Sequence, residues 1–120
     1  MKEKKCDCKS IHEDVVFEAK KHICDLDLIE RLEIFYKAFA DSTRLKIMSI
    51  LDHVGSMCVC DIAVSLDMTK SAISHQLKYL KEHGLLRCEK QGKEVLYMVA
   101  DDHIRDIFEK GVEHLEEFNK

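Results

Sequence analysis

The chain has 120 residues, with 19 lysines and arginines against 23 aspartates and glutamates and a formal net charge of −4. A chain of this length buries roughly two-thirds of its unfolded surface, so residues 1–120 are expected to fold as a single domain without a disulfide framework. The charged first residues lead into no apolar run, and no segment reaches the ~18 apolar residues of a membrane span. These features exclude a membrane protein and predict a cytoplasmic one, in which the six cysteines would be reduced thiols available as metal ligands or redox sensors.

Apolar periodicity in the first half of the chain predicts three helices. Residues 1–11 are expected to form a flexible arm, followed by a weak helix over about 12–23 and a stronger one over 27–40. A third helix begins at Asp41 or Ser42, both suitable N-caps, and stops before Gly55. The residues expected to form apolar faces are Leu28, Leu32, Phe35 and Phe39 in the second helix, and Leu45, Met48, Ile50 and Leu51 in the third.

The next segment predicts two short helices and a β-hairpin. The helices span about 60–66 and 69–82 and are joined by a turn at Asp67-Met68. Gly84 ends the second of them. The apolar period then changes from 3.6 to 2 around Gln91-Gly92, which indicates a hairpin. The predicted fold is therefore mainly α with a small β-hairpin, in the order of a winged helix-turn-helix.

The helix over 69–82 is a candidate DNA-reading helix, capped by Thr69, with Ile73, Leu77 and Leu80 on its packed face. Residues 69–93 carry six basic side chains against two acidic ones in an otherwise acidic protein, which favours contact with phosphates. An ordinary amphipathic surface helix would show a similar pattern. A homodimer would place two such helices about one DNA turn apart, so the expected partner is double-stranded operator DNA with an inverted repeat. The candidate DNA-binding residues are Lys70, Ser71, Ser74, His75 and Lys78 in the helix and Arg87, Lys90 and Lys93 in the hairpin.

The last helix, about 101–118, carries Asp101, His103, His114 and Glu117. His103 and His114 are roughly 16 Å apart along a helix, too far for one ion with bonds of about 2 Å. When two copies of this helix lie antiparallel, the residue numbers of facing positions add up to a constant. The sums for Asp101 with Glu117 and for His103 with His114 nearly agree, so both pairs would face each other in one register. The spacing predicts two metal sites across a dimer interface, each with Asp101 and His103 from one subunit and His114 and Glu117 from the other. The alternative is a solvated acidic helix.

The same helix contains an apolar seam that would let residues 101–118 act as a dimerisation helix. Gly111 lies in this seam and permits close backbone approach. The protein is therefore expected to be dimeric through its terminal helices. The seam consists of Ile104, Ile107, Phe108, Gly111, Val112, Leu115 and Phe118.

A second metal site is predicted from two Cys-x-Cys pairs. Cys58 and Cys60 lie at the start of the first short helix, and Cys6 and Cys8 lie in the arm. Residues two apart in a helix point about 200° apart, so Cys58 must lie in an extended entry for both thiols to bind one ion. The helix N-terminus stabilises thiolates, and a sulfur-rich site prefers Cd(II), Pb(II), Bi(III) or Zn(II) over hard ions.

Several segments together resemble the ArsR/SmtB family of metal-sensing repressors, most closely the cadmium and lead sensors of the CadC type. The matching segments are KAFADSTRLKI (37–47), MCVCDIA (57–63), SAISHQLKYL (71–80), GLL (84–86) and the Asp-x-His and His-x-x-Glu pairs of the last helix. The resemblance implies a metal-free dimer that binds the operator of a metal efflux operon and releases it when Cd(II), Pb(II) or Zn(II) binds. It also implies that Cys58 and Cys60 belong to a thiolate site completed by arm cysteines, and that the last helix carries a zinc site.

Two departures from the family pattern keep alternatives open. The arm pair is more closely spaced than expected, so Cys6, Cys8 and Cys24 are alternative ligands. Ala63 stands where arsenic sensors have a third cysteine, which argues against an arsenic-responsive repressor. Cys88 and Cys24 are each more simply interpreted as structural residues than as ligands.

The rival functions are a thiol redox switch, a metal buffer with a vestigial helix-turn-helix, and a metal-dependent hydrolase. Catalytic zinc needs an open coordination position and a nearby general base in a pocket. The candidate ligands lie on a helix expected to be packed in a dimer, and the chain has neither a nucleophile motif nor a phosphate-binding glycine loop. The chain is therefore not expected to be an enzyme.

Overall fold

A computed structural model describes residues 11–23 and 25–118 of the chain. Its helices and strands follow the predicted order, and a small antiparallel sheet lies among the helices. The elements are α1 (Glu13–His22), α2 (Leu26–Phe39), α3 (Ser42–Val54), β1 (Met57–Cys58), α4 (Val59–Ser65), α5 (Lys70–Glu82), β2 (Leu86–Gln91), β3 (Glu94–Val99) and α6 (Asp102–Phe118). The prediction of a mainly helical winged helix-turn-helix is confirmed.

The chain divides into two compact units, Met1–Leu32 and Glu33–Lys120. In the first unit, α1 has acidic residues in its first turn and basic residues in its last, which suits the helix dipole, and none of its residues is buried. Leu28 of the predicted α2 face is also exposed. In the second unit, Phe35 and Phe39 from the same helix pack against the core.

Helix α3 supplies the centre of the core of the second unit. Asp41 caps it by accepting a hydrogen bond from the Arg44 backbone N–H at 3.1 Å, and Gly55 ends it with a left-handed φ of 104°. Met48 and Leu51 are buried as predicted, and Ile50 is partly buried. Leu45 is 40% exposed, whereas Ile47, absent from the predicted inward face, is fully buried. The prediction for Leu45 is wrong because the core packs on the flank of the helix that carries positions 47, 48 and 51.

The wing contains a strand that periodicity did not reveal. The predicted hairpin forms by antiparallel pairing of β2 and β3, with Gln91 opposite Glu94, so Gly92 and Lys93 make a two-residue turn. Gly92 has a φ of 65°, a conformation that favours glycine. The sheet order is β1-β3-β2, with Met57 opposite Tyr97 and Cys58 opposite Leu96. A two-residue strand has no period to recognise, and only its pairing defines it.

In the part of the chain that the structure describes, no helix combines the length and apolar character needed to cross a lipid bilayer.

Candidate DNA interface and metal-binding residues

Helix α5 separates a buried face from an exposed polar face. The Thr69 hydroxyl caps it by accepting a hydrogen bond from the Ala72 backbone N–H at 3.1 Å. Ile73, Leu77 and Leu80 are fully buried, as predicted. Lys78 forms a 4.0 Å ion pair with Glu82 that is too exposed to hold it away from a phosphate. The five predicted DNA-contacting residues of the helix are all exposed: Lys70, Ser71, Ser74, His75 and Lys78.

The wing cations are exposed but do not share one face. Arg87 and Lys90 are an odd number of positions apart on β2, so their side chains leave opposite faces of the sheet. Lys93 lies in the two-residue turn at the wing tip. The Nη1 atom of Arg87 lies 2.6 Å from the Glu89 carboxylate, an exposed contact that a phosphate would have to replace. Arg87 therefore lies near the start of β2, whereas Lys93 lies at the tip of the wing.

Two of the predicted metal ligands lie at the start of α6. One carboxylate oxygen of Asp101, Oδ1, accepts a hydrogen bond from the Ile104 backbone N–H at 3.0 Å and so caps the helix. The same oxygen is 3.7 Å from Nδ1 of His103, whose side chain is 93% exposed. This leaves Oδ2 of Asp101 and the His103 imidazole as neighbouring oxygen and nitrogen donors on an open surface.

The other two predicted ligands lie near the end of α6. His114 and Glu117 line an open pocket of about 160 Å³ together with Lys110 and Glu113. The His114 ring is stacked on Phe118, with centroids 6.3 Å apart and an interplanar angle of 17°, which orients the imidazole. Within residues 11–23 and 25–118 of one protomer, no three His, Cys, Asp or Glu side chains come together in a metal-binding arrangement. The structure therefore gathers these donors as two separate pairs, each of the nitrogen and oxygen type that Zn(II) accepts.

The apolar seam of α6 is divided between two uses. Ile104 is only 6% exposed and Phe108 packs against the core, so both stabilise the protomer itself. Assigning the entire seam to a dimer interface was therefore wrong for Ile104, whose side chain faces the protomer core, whereas the partly buried Phe108 also lines the groove described next. The remaining apolar side chains of the seam are more exposed and comprise Ile107, Val112, Leu115 and Phe118.

These exposed seam residues, except Phe118, line an apolar groove of about 800 Å³ between α6 and the α2–α3 junction. We call this the seam groove. Its other wall includes Tyr36, Phe39 and Leu45, which accounts for the exposure of Leu45 in the protomer. Gly111 also lines the groove, with open space where a Cβ would lie.

The backbone at Cys58 is extended, which is the condition set above for the thiols of Cys58 and Cys60 to bind one ion. Cys58 is the N-cap of α4, with an extended backbone at φ −82° and ψ 164°, and its side chain is half-buried. Cys60 is exposed in the first turn, and both are free thiols. Cys6 and Cys8, the predicted partners from the arm, and the alternative Cys24 lie outside the described residues.

Cys88 is half-buried on β2, opposite Tyr97. Hydrogen bonding and charge interaction with Cys88 raise the pKa of the Lys81 ammonium at the end of α5. These contacts fit the structural role predicted for Cys88.

Comparison with known proteins identifies the family. Residues 41–87 match the family described as bacterial regulatory protein, arsR family. The chain is 37% identical over 112 residues to a cadmium resistance transcriptional regulatory protein CadC homolog from Staphylococcus aureus, covering 93% of this chain and 92% of the relative. It is 33% identical to a transcriptional repressor SmtB homolog from Synechocystis, covering 93% of this chain and 84% of the relative. The chain belongs to the ArsR family.

A solved structure supports the same architecture. The homodimeric winged helix-turn-helix DNA-binding domain of a possible ArsR-family regulator from Mycobacterium bovis superimposes with a TM-score of 0.72 at 26% identity, covering 77% of this chain and 84% of that one. This ArsR-family chain is therefore a DNA-binding transcriptional regulator, and the expectations of operator DNA as partner and of a protein that is not an enzyme are confirmed.

One residue of the ArsR-family segment, Arg44, makes contacts that the sequence interpretation did not predict. The Arg44 guanidinium donates to the backbone oxygens of Ala38 and Lys37, at 2.7 and 3.1 Å, and to Oε1 of Gln76 at 3.3 Å. It also lies over the Tyr79 ring, 4.2 Å from its centroid. The sequence offered one signal for Arg44, its position three residues after Asp41 at a predicted helix start. That spacing indicates a helix cap, but it does not reveal the contact with Gln76, which lies 32 positions later in the chain.

Proposed function

We propose that this chain is a metal-responsive repressor. The homodimer binds operator DNA when it is metal-free and releases it on binding Cd(II), Pb(II) or Zn(II), controlling metal efflux or resistance genes. The observation that carries the proposal is the pairing of donors on α6: Asp101 with His103 at its start and His114 with Glu117 near its end, on either side of the exposed seam.

An antiparallel second copy of α6 would complete each donor pair. The apolar side chains that line the seam groove supply the surface that such a copy would cover. In that register the Asp101 and His103 pair of one protomer meets the His114 and Glu117 pair of the other. The resulting set of two nitrogens and two carboxylates suits Zn(II) and accepts Cd(II).

The thiols of α4 support a second site with softer chemistry. The extended backbone at Cys58 lets its thiol and that of Cys60 converge, and Cys6 and Cys8 of the arm would supply two more thiolates. Such a set favours Cd(II) and Pb(II). The arm, residues 1–11, would then be drawn toward α4, which directly precedes the reading helix α5.

Release of DNA requires that the ligated dimer favour a shape that docks poorly on the operator. Donors shared between two α6 helices would fix the angle between them, and α6 joins the wing through β3. A coupling free energy of about 3 kcal/mol would weaken operator binding roughly 150-fold. In this proposal residues 101–118 are the dimerisation helix, and a cytoplasmic location follows from the operator as partner.

The test compares operator affinity of His103→Ala and Cys58→Ser with and without added Cd(II) or Zn(II). Each variant is expected to bind the operator normally without metal and to lose much of its response to the metal held at the altered site. The matched controls are His53→Ala, an exposed histidine on α3, and Cys88→Ser, a half-buried thiol on the wing. Thiolate charge-transfer absorption follows binding at the cysteines directly. Full metal-induced release from both variants would refute the assignment.

The same operator-binding assay, repeated with an oxidant or with As(III) in place of the metal, distinguishes this proposal from its nearest competitors. A thiol redox switch would use the free thiols of Cys58 and Cys60, and it predicts release by oxidant but not by metal. An arsenic-responsive repressor predicts release by As(III). The buried Ala63, which offers no thiol at the third position, argues against that outcome.

A further inference from the structure

Arg44 lies where three helices meet. It lies in the first turn of α3. Its guanidinium donates hydrogen bonds to two backbone carbonyl oxygens at the end of α2 and to the Gln76 side chain in the middle of α5. The last carbonyls of a helix have no partner within that helix, so these bonds complete the end of α2. We call the contacts of Arg44 with Ala38, Lys37, Gln76 and Tyr79 the Arg44 clamp.

The clamp continues along the reading helix. Arg44 lies over the Tyr79 ring, and Tyr79 is stacked on His83 with centroids 4.1 Å apart and an interplanar angle of 28°. Nδ1 of His83 is in turn 2.8 Å from the Tyr79 carbonyl oxygen. A cation and two rings therefore form a row along one flank of α5, between its buried face and its exposed polar face.

We infer that Arg44 is a positioning residue for operator recognition, setting the rotation of α5 so that Ser71, Ser74 and His75 face the bases. The apolar contacts of Ile73, Leu77 and Leu80 fix which face of α5 is buried, but they are non-directional and restrain small rotations of the helix less strictly. Hydrogen bonds weaken steeply when misaligned, and the Arg44–Gln76 bond is directional in this sense. The inference rests on DNA binding by α5 and is independent of the proposed metal response.

Lysine cannot replace this arginine. The guanidinium is a planar fork whose separate N–H groups reach Ala38, Lys37 and Gln76 at once while its face covers Tyr79. A lysine ammonium keeps the charge but donates from one point. Arg44→Lys therefore removes the clamp without changing the net charge.

The experiment measures binding, in the presence of a chelator, to the duplex that the wild-type protein enriches from a random-sequence library. Salt is varied for wild type, Arg44→Lys, Arg44→Gln, Tyr79→Leu and the double variant of Arg44→Lys with Tyr79→Leu. Arg44→Lys is expected to weaken binding roughly tenfold, the scale of losing one charge-assisted hydrogen bond. The slope of log affinity against log salt is measured on the neutral variant Arg44→Gln, because a lysine could keep any phosphate contact. It is expected to equal the wild-type slope, since Arg44 is inferred to make no phosphate contact.

The two single substitutions are expected to be non-additive, since both break the same clamp. The matched control is Arg105→Lys, in which the altered arginine bridges α6 to Asp52 on α3 and does not touch α5. Its operator affinity is expected to stay within about twofold of wild type, as for substitutions away from the recognition surface.

The inference would be overturned by unchanged affinity in Arg44→Lys, by strictly additive effects with Tyr79→Leu, or by a salt slope reduced by about one in Arg44→Gln, which would make Arg44 a phosphate contact. An equal loss in Arg105→Lys would also overturn it, by showing a general effect of destabilisation. If circular dichroism shows Arg44→Lys to be unfolded, Tyr79→Leu decides alone. That variant keeps the carbonyl bonds of Arg44 and must lose affinity at constant slope.

Discussion

At the scale of single residues, Asp101 combines an observed role as a helix cap with a proposed role as a metal donor. Its Oδ1 caps α6 through the Ile104 backbone N–H, and the carboxylate as a whole is one of the four proposed metal donors. N-cap bonds contribute about 1 kcal/mol to stability, and serine is as good a cap as aspartate but a poor metal ligand. The two roles can therefore be separated by substitution.

We predict that Asp101→Ala lowers the free energy of unfolding by about 1 kcal/mol and also weakens Zn(II) binding. Asp101→Ser is expected to restore most of the stability but not the metal affinity. Urea unfolding of the metal-free protein and a competitive zinc titration measure the two effects. Asp41→Ala, which removes the cap of α3, is the control for stability loss without loss of a ligand. Zinc affinity restored in Asp101→Ser would contradict the assignment of a metal ligand.

At the scale of elements, the junction of α3 and α6 depends on charged groups. Nε of Arg105 donates to Oδ1 of Asp52 at 2.8 Å, and the Asp52 side chain is largely buried. A hydrogen bond with Asp52, followed by partial desolvation and the nearby negative charge, raises the pKa of Glu109 above its ordinary value of 4.5, while Arg105 opposes the shift. Protonated Glu109 is thus the form that fits this junction best.

A carboxyl group whose pKa is higher in the folded than in the unfolded state stabilises the folded state, with the full effect below the unfolded-state pKa. This stabilisation is lost as pH rises through the folded-state pKa. We predict that wild-type stability falls across this window above 4.5, and that Glu109→Gln, which stays neutral and can still donate to Asp52, flattens the decline. Urea unfolding from about pH 4 to about pH 8 measures the profiles. Glu94→Gln, at the wing tip, is the control. Parallel profiles for wild type and Glu109→Gln would exclude this coupling.

At the scale of the whole molecule, the seam groove is the surface that a second copy would cover. Leu115 is 59% exposed in the protomer, so its side chain contributes little to the protomer's own core. An antiparallel copy of α6 would bury it. Its contribution should therefore appear in association and in operator binding rather than in protomer folding.

We predict that Leu115→Glu produces a folded monomer with greatly weakened operator binding, since a buried unpaired carboxylate strongly opposes association. Sedimentation velocity gives the mass, and circular dichroism verifies the fold. The matched control is Val54→Glu, whose side chain is 61% exposed at the end of α3 and away from the groove. A stable dimer of the Leu115 variant would place the interface elsewhere.

Much of the fold was predictable because its signals are local. Helix ends depend on the few backbone groups beside one residue, such as Asp41, Thr69, Gly55 or Gly84. Helices α3 and α5 accordingly begin and end within a residue or two of the predicted positions. The change of period after Gly84 located the hairpin for the same reason. The candidate DNA-binding and α6 donor residues followed from composition and spacing along single helices.

Other features depend on which distant segments meet. The sequence alone determined where the helices lie, which polar residues share the exposed face of α5, and that the α6 donors are too far apart to serve one ion within a protomer. Only the tertiary structure decided that Ile47 rather than Leu45 enters the core, that Ile104 belongs to the protomer core, and that Arg44 joins α2, α3 and α5. The physical reason is that an apolar stripe or a guanidinium can serve several neighbours equally well, and its partner is chosen by packing between segments far apart in the chain.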